Sequence, residues 1–266
     1  MILPIVLPVR NVSAYLSDTI ISIKSACFFA GYTPCIVVVD DGSNDDSAKI
    51  ALSHDCIIVY LPDRGFSVSG KPDLALVYNV GCDYIREHIN EYYPYIFITD
   101  SASILAENYI ALLADKLESN LYNVICHGVY TNITFPSNFV SAMLIRDSFF
   151  SMLRFKFPIN YYSWFTYPIL YAKSKGFKTN VVEDAKLRYV NLEDNKNHGF
   201  IIGREMYETG FIFLYALLKS IRFSFIHNRK IGYRMIKTFL FSSGSRYPPK
   251  LRALNRKYQY KTIKGF

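Results

Sequence analysis

Residues 36–47 read Ile36-Val37-Val38-Val39-Asp40-Asp41-Gly42-Ser43-Asn44-Asp45-Asp46-Ser47, and this stretch decides the fold. Four β-formers in a row are apolar on both faces, as a parallel strand buried between two helical layers requires. Asp40 and Asp41 follow at the carboxyl end of that strand, the end at which open α/β sheets receive ligands. Gly42 can turn the chain with a positive φ, and Ser43, Asn44 and Asp45 offer caps for a short helix expected from about Asp46 to Leu52.

Upstream, an apolar strand from Ile2 to Leu7 ends at Pro8. Asn11-Val12-Ser13 reads as a cap for a helix that carries Leu16, Ile20, Ile23 and Cys27 on one face and stops at Gly31. Downstream, Cys56 to Leu61 is a third apolar run, so the chain opens β-α-β-α-β, the start of a doubly wound sheet. A dinucleotide-binding domain opens the same way but needs a glycine-rich turn after its first strand. Pro8-Val9-Arg10-Asn11 contains no glycine, which argues against a nicotinamide or flavin. Beyond the loop Arg64 to Pro72, a helix faces inward with Leu74, Val77, Gly81 and Ile85, and a fourth strand runs from Tyr95 to Thr99. A helix with Ile110, Leu113 and Leu117 on one side, a strand from Leu121 to Tyr130 and another from Ser141 to Asp147 come next. His127, alone in an apolar run, reads as a core residue.

Asp40-Asp41-Gly42-Ser43, preceded at this spacing by the block from Ile2 to Asn11, resembles the opening of a family 2, GT-A-type glycosyltransferase. The resemblance implies an α/β fold with a GT-A-like, doubly wound, mostly parallel sheet. It implies donor-binding roles for Pro8, Arg10, Asn11, Asp40, Asp41 and Gly42, with Asp41 on the nucleobase. Gly70-Lys71, followed by Asn79-Val80-Gly81, resembles the loop and helix that close over the donor's phosphates, with Lys71 as the point charge and Asn79 beside it. Arg64 lies outside that block and reads as a solvated loop base. Asp100-Ser101-Ala102-Ser103 stands where the family has Asp-Xaa-Asp, so Asp100 is the implied metal and catalytic carboxylate and Ala102 replaces its companion. A divalent cation, Mg²⁺ or Mn²⁺, would then be held weakly, through one carboxylate, water and diphosphate oxygens. The family's Glu-Asp pair, whose acid serves as general base, is replaced by Trp164-Phe165. Glu183-Asp184 lies downstream, either as the substitute base or as a charged turn. His198 has no role readable from its surroundings.

Composition divides the chain. Past Glu208 there are 13 Lys and Arg and no acid, whereas the preceding part has 17 bases against 22 acids, a net of −5. The overall +8 is therefore a property of the tail, and two domains are expected: a GT-A-like domain over 1–208 and a basic, amphipathic, membrane-associating tail over 209–266. Phe211, Leu214, Leu217, Leu218, Ile221 and Phe225 recur there at helical spacing, and the apolar content favours an anionic membrane over nucleic acid as the partner. Ser242 to Ser245 with Pro248-Pro249 reads as a linker to an unstructured basic end. Five cysteines without a CxxC spacing read as buried thiols of a reducing compartment, and, with Met1 running straight into the first strand, a secretory signal is not expected. The expectation is a cytoplasmic transferase, peripheral at the inner face of the membrane. It would move a hexosyl group from a nucleotide-diphosphate sugar to a lipid-linked or polysaccharide acceptor in cell-surface glycan synthesis. A binding or scaffolding chain that has lost catalysis is the alternative.

Overall fold

The computed structural model describes residues 1–132, 142–190, 198–226 and 228–264. Its first part runs β1 (Ile2–Val9), α1 (Leu16–Phe29), β2 (Thr33–Asp40), α2 (Ser47–Ser53), β3 (Ile57–Tyr60), α3 (Leu74–His88) and β4 (Tyr95–Ile98). Then come β5 (Ser103–Leu105), α4 (Tyr109–Glu118), β6 (Asn123–Tyr130), β7 (Met143–Arg146), α5 (Asp147–Phe150), α6 (Thr166–Ser174) and β8 (Lys178–Tyr189). Four more helices end it: α7 (His198–Glu208), α8 (Phe213–Ile226), α9 (Arg229–Phe241) and α10 (Pro249–Lys264). Contacts divide the chain into two compact units. One comprises Met1–Ser67, Ala75–Phe157 and Gly176–Asn191; the other comprises Val68–Leu74, Pro158–Lys175 and Leu192–Phe266.

The first unit holds one eight-stranded sheet in the order β3-β2-β1-β4-β7-β6-β8-β5. Strands β3, β2, β1 and β4 are mutually parallel, β7 is antiparallel to both its neighbours, β6 pairs in parallel with β8, and β5 is antiparallel to β8. Helices cover both faces. Leu3, Ile5, Leu7, Ile36 and Val38 share one core with Leu16, Ile20 and Ile23 of α1 and Leu113 and Leu117 of α4. On the opposite face α3 approaches through Gly81, where a methyl group would collide with Val6 and Val39. Val37, Val38 and Val39 are accordingly shut off from water on both sides, as the apolar run requires.

Strand β1 continues through Pro8 to Val9, two residues past its expected end. Val6 accepts from Thr99 N–H and Val9 from Asp41 N–H, so alternate residues of β1 face β4 and β2. Pro8 therefore turns its nitrogen to the β4 side, where it has no N–H for the Thr99 carbonyl; pairing stops at Val6 and Ile98, and that carbonyl accepts from the Tyr78 hydroxyl at 3.2 Å instead. The expected turn at Glu183-Asp184 is instead part of β8. The register with β6 slips there, since His127 pairs with Val181 but Val129 with Lys186, and both acids are exposed on this irregularity. The slip brings the carbonyl of Ala185 against Gly128, where a side chain would collide.

The second unit is helical. Ile202, Met206, Phe211, Ala216 and Met235 form one small core, and Leu170, Tyr247 and Leu251 form another. The basic end expected to lack structure is the helix α10, anchored by Leu251 and by buried Gln259, whose amide oxygen accepts from Ile212 N–H at 2.8 Å. Asn191 to Asn197, the side chain of His198 and Ser141 lie outside the described residues.

Candidate active site

Two loops at the carboxyl ends of β1 and β2 are bonded to each other rather than capping their own helices. Asn11 N–H donates to Ser43 Oγ at 3.1 Å, Asn44 N–H to Asn11 Oδ1 at 2.9 Å, Val12 N–H to Ser47 Oγ at 2.9 Å, and Ser13 N–H to Asp45 Oδ2 at 3.0 Å. The residues directly before the helices, Tyr15 for α1 and Asp46 for α2, make no side-chain cap bond, and only Asp45 also serves a helix start, its Oδ1 accepting from Ser47 N–H at 3.0 Å. The polar residues expected as caps thus close the first loop onto the second. Asp45 shows the strength of the arrangement: its partial burial raises the pKa, but the hydrogen bonds from Ser47 and Ser13 outweigh that and bring it down to about 2. Gly42 sits at φ +74°, and a methyl group there would collide with the Cα of Asp63, so the turn needs glycine for conformation and for space.

Asp40 is spent on the turn, its Oδ1 accepting from Ser43 N–H at 2.9 Å and its carbonyl from Leu61 N–H at 2.8 Å. Asp41 is different. It is 3% exposed, its Oδ1 accepts from Arg64 at 2.7 Å, and its buried Oδ2 accepts no hydrogen bond among the described residues. Arg10 donates to the main-chain carbonyl of Asp41 and to Asp63 Oδ1, at 2.7 Å to the latter. Burial pushes the Asp41 carboxyl above the usual carboxylate range although Arg64 and Arg10 oppose it. The structure thus corrects the reading of Arg64 as a solvated loop base: it is the ion-pair partner of the buried acid. Sequence reasoning missed it because the pairing joins residues 23 apart in the chain.

Asp100, at the end of β4, turns inward. Its Oδ1 accepts from Ala102 N–H at 2.8 Å and from Ser103 Oγ at 2.9 Å, and Ser103 Oγ lies 2.9 Å from the phenol oxygen of Tyr130. Burial, followed by the nearby negative charge of Asp100, holds the Tyr130 phenol well above its ordinary pKa, so it stays a neutral hydrogen-bonding group. Among the described residues no group of three or more His, Cys, Asp and Glu is placed to hold a metal ion. The donor set at this strand end is one carboxylate, which fits a hard cation that takes its other ligands from diphosphate and water.

The remaining expected site residues are placed as follows. Pro8 and Val9 are buried at the end of β1, and Asn11 adopts a left-handed φ of +51°. Asn79 is buried, with both ends of its amide on the main chain of Phe157, donating to its carbonyl at 2.8 Å and accepting from its N–H at 2.7 Å. Lys71 is exposed in the second unit, in a turn after Gly70 at φ +67°. Also in that unit, Trp164 is buried, and a carboxylate from α7 reaches the segment before it. Glu208, fully buried, accepts from Tyr162 N–H, Ser163 N–H and Ser163 Oγ at 3.1, 3.0 and 2.6 Å, and Arg204 stands 3.3 Å away. Burial raises its pKa against those bonds, and its surroundings make it a clamp on residues 162 and 163.

The doubly covered, mostly parallel sheet, with acids beyond β2 and β4, has the architecture of a GT-A-type glycosyltransferase. The profile described as "Glycosyl transferase family 2" matches residues 5–185, and the chain belongs to that family. No curated protein matches the sequence significantly. Among solved structures, the chain is similar to mannosyltransferase PcManGT from Pyrobaculum calidifontis in complex with GDP-Man and Mn²⁺, at 12% identity and a TM-score of 0.56, over 99% of this chain and 80% of that one. It is similar to residues 1–349 of S. aureus TarS in complex with UDP-GlcNAc, at 11% identity and a TM-score of 0.55, over 90% and 72%. It is also similar to glucosyl-3-phosphoglycerate synthase from Mycobacterium tuberculosis in complex with Mn²⁺, UDP and glucosyl-3-phosphoglycerate, at 13% identity and a TM-score of 0.53, over 77% and 78%.

Proposed function

We propose that this chain transfers a hexosyl group from a nucleoside-diphosphate sugar to a lipid-linked or polysaccharide acceptor at the inner, cytoplasmic face of a membrane, in the synthesis of a cell-surface glycan. The observation that carries the donor half is the unpartnered Oδ2 of Asp41. A buried acceptor oxygen is costly until an N–H reaches it, and the same residue brings two donors close, Arg64 on its Oδ1 and Arg10 on its main-chain carbonyl. An acceptor beside donors matches a base edge with an imino N–H next to a carbonyl. Uracil and guanine present that edge; adenine and cytosine, whose corresponding ring nitrogen carries no proton, do not.

In the transfer, the acceptor hydroxyl attacks the anomeric carbon of the donor, the new glycosidic bond forms as the carbon–phosphate oxygen bond breaks, and the nucleoside diphosphate leaves. Lys71 is assigned to the diphosphate, with Pro8, Arg10, Asn11 and Gly42 shaping the nucleotide end and Asn79 holding the segment at Phe157 in place. Asp100 is assigned to the leaving-group end, where a divalent cation, when bound, neutralises the charge on the departing diphosphate. Glu183 or Asp184 is assigned to take the hydroxyl proton, since both are exposed carboxylates and the family's own pair is replaced by Trp164-Phe165. The tail over 209–266, with its 13 bases, is assigned to the membrane. A second reading, nucleotide binding without transfer, draws on Ala102 and Trp164. Incubation of the purified chain with UDP- and GDP-sugars and lipid-linked glycan acceptors decides: release of nucleoside diphosphate coupled to product supports transfer, and binding without product supports the second reading.

A further inference from the structure

Helix α8 is apolar on two sides: Tyr215, Ala216 and Phe223 pack on the small core of their own unit, and a second apolar stripe lies outside it. Its fully buried positions are Ala216 and Ser220. The stripe Leu214, Leu218, Ile221 and Phe225 faces away from the unit, each residue at least 45% exposed and Phe225 84% exposed. The backbones of α8 and α9 approach closely at small residues: a methyl group on Gly232 would collide with Ser224 Oγ and the carbonyl of Ser220. On α7, a methyl on Gly199 would fall 2.8 Å from the carbonyl oxygen of Ile231, and one on Gly203 would fall 2.6 Å from that of Met235. Ser220 and Ser224 turn their hydroxyls back onto the carbonyls of Ala216 and Ser220, at 2.8 and 3.0 Å. In water, burying a Leu or Phe side chain is worth roughly 1.5–3 kcal/mol, so such a stripe belongs inside. Within lipid that force is absent: helices approach through Gly and Ser, and large apolar side chains face outward.

Charge and length select the lipid. No acid lies beyond Glu208, and Arg229, Lys230, Arg234 and Lys237 of α9 are exposed, as contact with anionic headgroups requires. The 14 residues of α8 extend about 21 Å at about 1.5 Å each, short of the roughly 30 Å of a bilayer core. Among the described residues, no helix is long and apolar enough to cross a membrane.

We infer that α8 lies in the plane of an anionic bilayer with the Leu214–Phe225 stripe in the acyl region, the bases of α9 meeting lipid phosphates. This rests on the membrane location proposed above and assigns insertion to one face of one helix. The test uses the full chain with Phe225→Trp and the parent as blank, on phosphatidylcholine–phosphatidylserine vesicles whose acyl chains carry bromine. A blue shift and strong quenching of the added emission are expected. The double variant Leu218→Glu, Phe225→Glu, altered only at exposed positions and checked by its thermal melt, is expected to lose vesicle binding by about tenfold or more. Vesicle binding without quenching, retained by the double variant, overturns insertion and leaves the membrane location standing. Absence of any vesicle binding by the parent overturns both. A parent dimer in solution that the double variant dissociates makes a second copy of the chain the occupant and overturns the proposal.

Discussion

The strand ends of β2 and β4 carry carboxylates in the same sheet, yet they are wired in opposite ways. At β2 the turn is held from outside, by four hydrogen bonds from or to the β1 loop and by Arg10 and Arg64, and one buried oxygen of Asp41 accepts no hydrogen bond among the described residues. At β4 the one carboxylate closes on its own turn, its Oδ1 taken by Ala102 N–H and Ser103 Oγ. The first end is built to receive a hydrogen-bond donor; the second supplies a single anionic group. Under the function proposed above, the contrast assigns donor recognition mainly to the nucleotide end and leaves the diphosphate end one carboxylate.

The severest way to break the first end is Gly42→Val. A β-branched residue at φ +74° facing the Cα of Asp63 is expected to cost about 3 kcal/mol or more in urea unfolding, with nucleotide binding lost alongside.

Asp41→Asn sharpens the comparison by separating binding from stability. Nucleotide affinity measured by calorimetry is expected to fall by roughly 1–3 kcal/mol, while Asp40→Asn has the smaller effect. The unliganded variant is expected to be no less stable than the parent at neutral pH. The sign follows from the raised carboxyl pKa: the contribution of Asp41 to stability is fully present below its unfolded value of 3.8 and is lost as pH rises through the higher folded value. Replacement by Asn removes that loss, so melting temperature against pH is flatter for the variant above pH 4. An equally steep curve in both proteins would contradict the burial argument.

Ala102→Asp probes the second end. A second carboxylate is expected to tighten Mn²⁺ binding in the presence of nucleotide by about tenfold, or 1.4 kcal/mol. Unchanged Mn²⁺ affinity would mean that Asp100 to Ser103 is not the cation loop. The smallest effect is expected from Asp45→Asn, about 1 kcal/mol after allowance for solvent screening. With its folded value brought down to about 2, Asp45 contributes stability above 3.8 that disappears as pH falls towards 2. Acid unfolding followed by circular dichroism is therefore expected to show parent and variant converging near pH 2.

The half of the molecule legible in the sequence is the half with local periodicity. Val37 to Val39 announced a strand covered on both faces, and Leu16, Ile20 and Ile23 announced the face of α1 that covers it, because burial of consecutive or regularly spaced residues is a local pattern. The family could be read from Asp40 to Ser43 for the same reason. The reading of Glu183-Asp184 failed because the pattern had two physical outcomes. Glu183-Asp184 is polar enough for a turn, but the slipped register of β6 and β8 holds it in a strand. The helical spacing of the α8 stripe was legible, but that its residues from Leu214 to Phe225 stay exposed while Ser220, Ser224 and Gly232 let the backbones close on the other side is set by the packing.

The sequence by itself determined that a parallel sheet would place Asp40 and Asp41 beyond a buried strand, since hydrophobic periodicity and turn chemistry act between near neighbours. Only the tertiary structure decided which of the two acids keeps an oxygen in reserve, that Arg64 belongs to it, that Asn79 holds Phe157, and that Glu208 holds residues 162 and 163. Those pairings join residues 23 to 78 positions apart, and at such separations the partner is fixed by the packing of strands and helices, which no local spacing records.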